Sequence, residues 1–323
     1  SPFVGKYDID ITLPNIVPFD EQVMVYKAEY FEDDFAQSIM NDLDISHYDL
    51  VFEGTDIRQW SHGDDTVYFN NIDCLLVLKI RDGLRLDIER SGVVDSNNAA
   101  EYFMQFANRY LSDFPETNVV DSVVSSGSVT VYGDFVPNND DNISVSSIHL
   151  GGHSVIAEFS DLGDLKSLSI LLVSDLTEFQ EMPVISSAVM SEYISMPSFP
   201  KLINVEINDD DYQNLPVSLR ASVVLNNVDI ESVDNSWIFV DSNYSYIIPA
   251  YRMTGTGLVL DPSKNSYDAN VELFVCALDP HYLSANHDRF EIDSSDYDTM
   301  DEEVEDLDEN LMLFDPVGLD NPE

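Results

Sequence analysis

His149-Leu150-Gly151-Gly152-His153 sets two imidazoles at HxxxH spacing, but Gly151 and Gly152 favour a hairpin over the helix that would bring both rings to one face. His281, His287 and Asp288 form a second, sparse cluster beside a strand end and read as solvent-exposed loop residues; His47 and His62 stand alone. Oxygen ligands suit a harder ion. Asn138-Asn139-Asp140-Asp141-Asn142 and Asn208-Asp209-Asp210-Asp211 lie between expected strands and offer the carboxylates that Ca²⁺ prefers, without the alternate acids, central Gly and final Glu of an EF-hand. The expectation is weak Ca²⁺ binding at Asp140, Asp141, Asp209, Asp210 and Asp211, with solvated turns as the plain alternative, and no other cofactor.

Nucleophilic and nucleotide chemistry leave no signature. Serine is plentiful, yet no GxSxG elbow or SxxK occurs, GxGxxG and the P-loop are missing, and Gly255-Thr256-Gly257 alone is a turn. With 61 acids in the chain, carboxylates adjacent in sequence cannot nominate an acid and base pair. No catalytic residue is assigned. Cys74 and Cys276 both sit in apolar, strand-like runs and read as buried free thiols, with a single long-range disulfide as the alternative.

Charge bounds the partners. The formal net charge of -47, from 61 acids against 14 Lys and Arg, argues against nucleic acid or an anionic membrane surface, because each phosphate contact needs a cation this chain hardly owns. A protein partner with a basic surface fits better, and so does a salt-rich environment. No stretch approaches the roughly 20 apolar residues of a bilayer span. The start at Ser1-Pro2-Phe3 without Met, and a composition poor in Lys and rich in Ser, Asn, Tyr and Asp, point to an exported, extracellular or cell-surface protein.

The elements that must position these residues read as α+β. Tyr7, Ile9, Ile11 and Leu13 alternate with polar residues as a half-buried strand, and Val23–Tyr26 reads as another. Phe31, Phe35, Ile39 and Leu43 recur every four residues as a helix at about 31–43. Asp82-Gly83 signals a hairpin between Cys74–Ile80 and Leu84–Glu89. A helix at about 96–113, capped by Asp95 or Ser96 and ended by Pro115, carries the stripe Ala99, Phe103, Phe106, Ala107, Tyr110 and Phe114. Strands follow at Ser128–Val136, His153–Phe159 and Leu168–Val173. A third helical run at Ile185–Ile194 precedes strands at Val217–Ile230, Trp237–Val240, Tyr246–Met253 and Val271–Leu278.

The recurring order of helix then strands predicts helix-plus-antiparallel-sheet modules, two or three in tandem: an N-terminal α+β module at 1–92, a middle one at 93–183 and a C-terminal β-rich one at 184–290. Residues 290–323 carry 14 acids and no Lys or Arg, so 291–323 reads as an acidic tail. Its one apolar island, Leu311-Met312-Leu313-Phe314, suits docking into a groove with a basic rim, in cis or on a partner.

Tyr246-Ile247-Ile248-Pro249-Ala250-Tyr251-Arg252-Met253-Thr254-Gly255, followed by Val275-Cys276-Ala277-Leu278-Asp279-Pro280, resembles the strand of aromatic, apolar, Pro, small, aromatic and Arg, with its hairpin partner, that ends modules of YycH/YycI-like and PepSY-like exported bacterial proteins. The resemblance implies helix-plus-antiparallel-sheet modules and a regulatory or inhibitory, non-enzymatic role outside the membrane, with no catalytic residues to carry over. The expected function is a non-catalytic exported protein acting through protein–protein contacts. Its rivals are a subunit of a surface filament or virion, for which a homo-oligomer is expected, and a hydrolase with a carboxylate/His site.

Overall fold

Apolar side chains alternating with polar ones dominate the chain, and in the computed structural model they build strands. The structure describes residues 6–7, 11–12, 22–31, 35–89, 92–137, 143–147, 150–185, 190, 194, 201–207, 212, 214–239 and 246–279. The first strands are β1 (Lys6–Tyr7), β2 (Ile11–Thr12), β3 (Gln22–Tyr30), β4 (Asp49–Glu53), β5 (Ile57–His62), β6 (Asp65–Asn70), β7 (Leu75–Leu84), β8 (Glu116–Ser125) and β9 (Ser128–Val136). They are followed by β10 (Val145–Ser147), β11 (Val155–Ser160), β12 (Leu165–Leu171), β13 (Val173–Pro183), β14 (Lys201–Glu206), β15 (Val224–Phe239), β16 (Tyr246–Leu260) and β17 (Ser266–Cys276). Helix α1 (Phe35–Asp42) follows β3, α2 (Ala99–Tyr110) follows β7, and α3 (Val217–Arg220) follows β14.

Two runs of strands result. In the first, β4, β5, β6 and β7 pair in sequence, β7 then pairs β12, and β12, β11, β9 and β8 follow, every pairing antiparallel. Among the described residues, β4 and β8 are its two edges. In the second, β14, β17, β16 and β15 pair antiparallel, while β1, β2 and β10 lie parallel along β15. β3 and β13 form a ribbon that meets the start of β16 at Tyr246 and Ile247. Only Leu172 separates β12 from β13, so nearly continuous chain passes from the first run into the ribbon.

The first core lies between the eight-stranded run and α2. Phe103 and Phe106 are fully buried; Phe106 and Tyr102 set their rings edge-on to Phe159 of β11, and the Tyr102 hydroxyl donates to the Gly163 carbonyl at 2.6 Å. Gly163 has φ +80°, and a Cβ there would meet that hydroxyl, so the turn needs glycine. α1 joins through Phe35, stacked on Phe31 and edge-on to Phe114, which in turn stacks on Phe135 of β9.

The α+β expectation of tandem helix-plus-sheet modules is overturned: the described chain is mostly β, and the strands form large, shared runs. The β7–β12 pairing crosses residue 92, so the strands on either side of that point build one sheet, not two. Residues Ser1–Ile292 cluster as one compact unit; the second, Asp293–Glu323, lies outside the described residues.

Three local readings change as well. Asp82-Gly83 makes no hairpin, because β7 runs through it to Leu84 and pairs onward to β12; Gly83, at φ +82°, sits at an irregularity where a Cβ would meet Asp164. Val217–Arg220 is helical, not the start of a strand, with Pro216 presetting the turn and its carbonyl accepting from Leu219 and Arg220. The N-cap of α2 is Asn98, while Asp95 accepts the Asn97 N–H one turn earlier. Of Ile185–Ile194, only Ile185, Met190 and Ile194 are described: the Ile185 N–H donates to the Ala277 carbonyl, and the other two are helical and buried.

Candidate functional site

The polar chemistry concentrates where the two runs meet. β9 turns its apolar residues Val129, Val131 and Phe135 toward the core and brings one acid, Asp134, into the joint at 2% exposure. Leaving β9, the chain lays β10 beside β15, then returns through a Leu150–Gly152 turn to β11. This path brings His153 Nδ1 to 3.0 Å from Asp134 Oδ1, while the Ser144 hydroxyl donates to Asp134 Oδ2. The Tyr132 ring lies against the imidazole.

Ser, His and Asp are thus gathered, but their wiring differs from that of a nucleophile. In a catalytic triad the serine hydroxyl bonds the imidazole, which the carboxylate orients. Here serine and imidazole both bond the carboxylate, which satisfies a buried acid and pins the joint. The neighbouring bonds have the same structural character: Ser146 and Ser236 hydroxyls lie 2.8 Å apart across β10 and β15, Ser154 donates to the Val145 carbonyl, and the Trp237 N–H donates to the Ser144 carbonyl. Gly152 abuts Arg252, which donates to Glu272 at 2.8 Å, leaving no room for a side chain.

A second cluster forms at the far end of β5. His47 and His62, which stand apart in the sequence, bring their ring centroids to 4.9 Å, and Tyr48 stacks on His62. The Tyr48 hydroxyl donates to Asp65 Oδ2 at 2.9 Å; burial, and then that carboxylate, push its pKa well above the usual phenol range. Both imidazoles are exposed. Among the described residues no group of three or more His, Cys, Asp or Glu is placed to hold a metal ion.

Elsewhere, burial pushes the Cys276 thiol up to about 12, and Cys74 and Cys276 are both buried and form no disulfide with each other. Burial alone would raise Asp261, but bonds from the Asn265 side chain and backbone, the Ser263 backbone and the Tyr267 hydroxyl outweigh it and hold the carboxyl below its ordinary value. A hollow lined by Val94, Asn98, Glu101 and Tyr102 has room for about one water molecule. Among the described residues no helix is long and apolar enough to cross a membrane.

Of the residues singled out from sequence, Asp140, Asp141, Asp209, Asp210, Asp211, Leu311, Met312, Leu313 and Phe314 lie outside the described residues, as do His149, His281, His287 and Asp288. The structure adds surfaces that the sequence reading missed. Both edges of the eight-stranded run expose apolar side chains: Leu50, Val51 and Phe52 on β4, and Val120, Val123 and Val124 on β8. Asp134 was also missed, although a lone acid inside the apolar run Val129–Val136 was its available signal.

No family model matches the chain, and no curated protein does. A crystal structure of an uncharacterized protein from Eubacterium rectale is similar over 83% of this chain and 87% of its own, at 13% identity and a TM-score of 0.45, a likeness that carries no argument about function.

Proposed function

We propose that this is a non-catalytic, exported or cell-surface protein that acts through protein–protein contacts, with the edges of the eight-stranded run as its contact elements. The observation that carries the reading is the exposure of Leu50, Val51 and Phe52 on one edge and Val120, Val123 and Val124 on the other. Apolar side chains on open sheet edges are the feature that soluble monomers suppress. The binding of Ser144 and His153 to the Asp134 carboxylate supports a structural role for this Ser/His/Asp set.

A photo-reactive side chain placed at Phe52 or Val124 in living source cells tests the reading, with the exposed Glu101 of α2 as control. Discrete heteromeric adducts at the edge positions and not at the control are expected. Equal labelling at all three positions would discard it.

A second reading, a subunit of a filament or virion assembly, draws on one geometric fact: β4 and β8 are opposite edges of one run. Head-to-tail pairing of such edges grows an open chain. Sedimentation velocity decides, since open-ended growth with concentration favours the assembly and a constant monomer removes it.

A further inference from the structure

We infer that the outer edge of β8 accepts an extended, cationic strand of a partner protein by main-chain pairing; this rests on the contact reading above and names its surface and partner. β8 is ten residues long and, among the described residues, pairs only with β9. Its exposed apolar residues do not share a face. Val124 stands opposite Val129 and Val123 opposite Thr130, so adjacent side chains point to opposite sides of the sheet, and both are about half exposed at 53% and 48%. A ligand lying on one face would cover one of them. A strand added at the edge flanks both, and its main chain completes the row of hydrogen bonds that an edge leaves open.

Charge selects the occupant. β8 carries Glu116 and Asp121, and from Arg109 to Lys166 the chain has no Lys or Arg between them. The edge therefore offers acids without nearby cations in sequence. β4 is different: it has five residues, and Arg58 on the adjacent strand lies 3.7 Å from its Glu53. A second copy of this chain is a poor occupant. Two β8 strands paired antiparallel about their centre would bring Asp121 close to its own copy, like charges across a ladder are destabilising, and each copy carries the net charge of -47. The register shift that leaves Val120 extra between Val119 and Asp121 also twists the edge against flat self-pairing. An alternation of Lys or Arg with apolar residues meets both features of the edge.

Fluorescence anisotropy on the full chain tests this with a labelled eight-residue peptide of alternating Lys and Val. Controls are the same peptide N-methylated along one hydrogen-bonding edge and a Glu/Val counterpart. The Lys/Val peptide should bind, at least about tenfold more weakly when N-methylated or when the protein carries Asp121→Lys. Hydrogen exchange should show new protection at residues 116–125. Equal affinity for the N-methylated peptide would reduce the binding to bulk charge and overturn the inference. Protection at β4 instead would overturn it while leaving a contact protein with a different edge. Absence of binding alongside edge-specific adducts in cells would discard the cationic strand and keep the contact reading.

Discussion

The β5–β6 hairpin and the connection from β9 to β11 hold matching places in the two halves of the eight-stranded run, yet one closes at once and the other makes a long excursion. β5 reverses through Gly63 and Asp64, with His62 opposite Asp65 and Gly63 at φ +62°. β9 instead releases the chain to lay β10 against β15 before β11 returns beside it. Each place has a cluster built from His, Asp and Tyr. At the tight turn His47 and His62 stay exposed around Tyr48 and Asp65, whereas at the excursion the Asp134 and His153 side chains are only 3% and 14% exposed. The same residue types become a surface feature or a joint according to the length of the connection.

The run that carries this contrast is open to breakage, beginning with the two helices of its core. Phe106→Ala in α2 should cost about 3–5 kcal/mol, because its ring is fully buried, and Phe35→Ala in α1 clearly less, because that ring is half-exposed. Urea midpoints measure both; equal losses would mean that the core leans on the two helices alike. Next, Asp134→Ala strands Ser144 and His153 in the joint and should cost about 1–3 kcal/mol, while Asp65→Ala removes the acceptor of the Tyr48 hydroxyl and the Arg81 N–H at a wetter site, where water replaces it, and should cost about 1 kcal/mol or less. The reverse order would show the joint to be slack.

A third connection, the β16–β17 hairpin, sharpens the comparison through pH. Asp261, between β16 and β17, has its carboxyl held below the ordinary value, so its stabilising effect is present above the unfolded-state pKa and fades as pH falls through the lower, folded one. Asp261→Asn should therefore flatten the acid limb of a stability profile and leave the Asp65 region unchanged. An acid limb identical to that of the parent would remove Asp261 from the account. The smallest effect concerns salt. Raising ionic strength shortens the screening length below about 10 Å, and the gain in exchange protection should be greater across β8 and β9 than across β5 and β6, where Arg58 and Arg81 already neutralise acids. A uniform gain would mean that local cations do not matter.

The sequence made α2 legible because its stripe repeats at helical spacing over three turns and its fully buried members, Phe103 and Phe106, are those the spacing selects. Partner choice was not legible. Nothing within Leu75–Leu84 says that it will meet Leu165–Leu171, so the helix-and-strand order looked like separate modules when the strands in fact close one run. Asp82-Gly83 misled for a related reason: a left-handed glycine serves a tight turn and a strand irregularity equally, and only the neighbouring strand distinguishes them. Asp134 and His153 are 19 residues apart, and their meeting depends on an excursion that composition does not reveal. His47 and His62 meet only because β4 folds back on β5.

β10 has just three residues, parallel to β15 and touching β9 at Val145. Consider it as a fastener under mechanical load. If the two runs are drawn apart along the strand direction, its hydrogen bonds to β15 are sheared together, and a bond that fails leaves the others still aligned with the pull. If they are peeled apart sideways, the same bonds open one after another. A pull applied to β10 against β15 would load this short strip first, so the direction of the pull, more than the number of contacts, would set how long that pairing lasts.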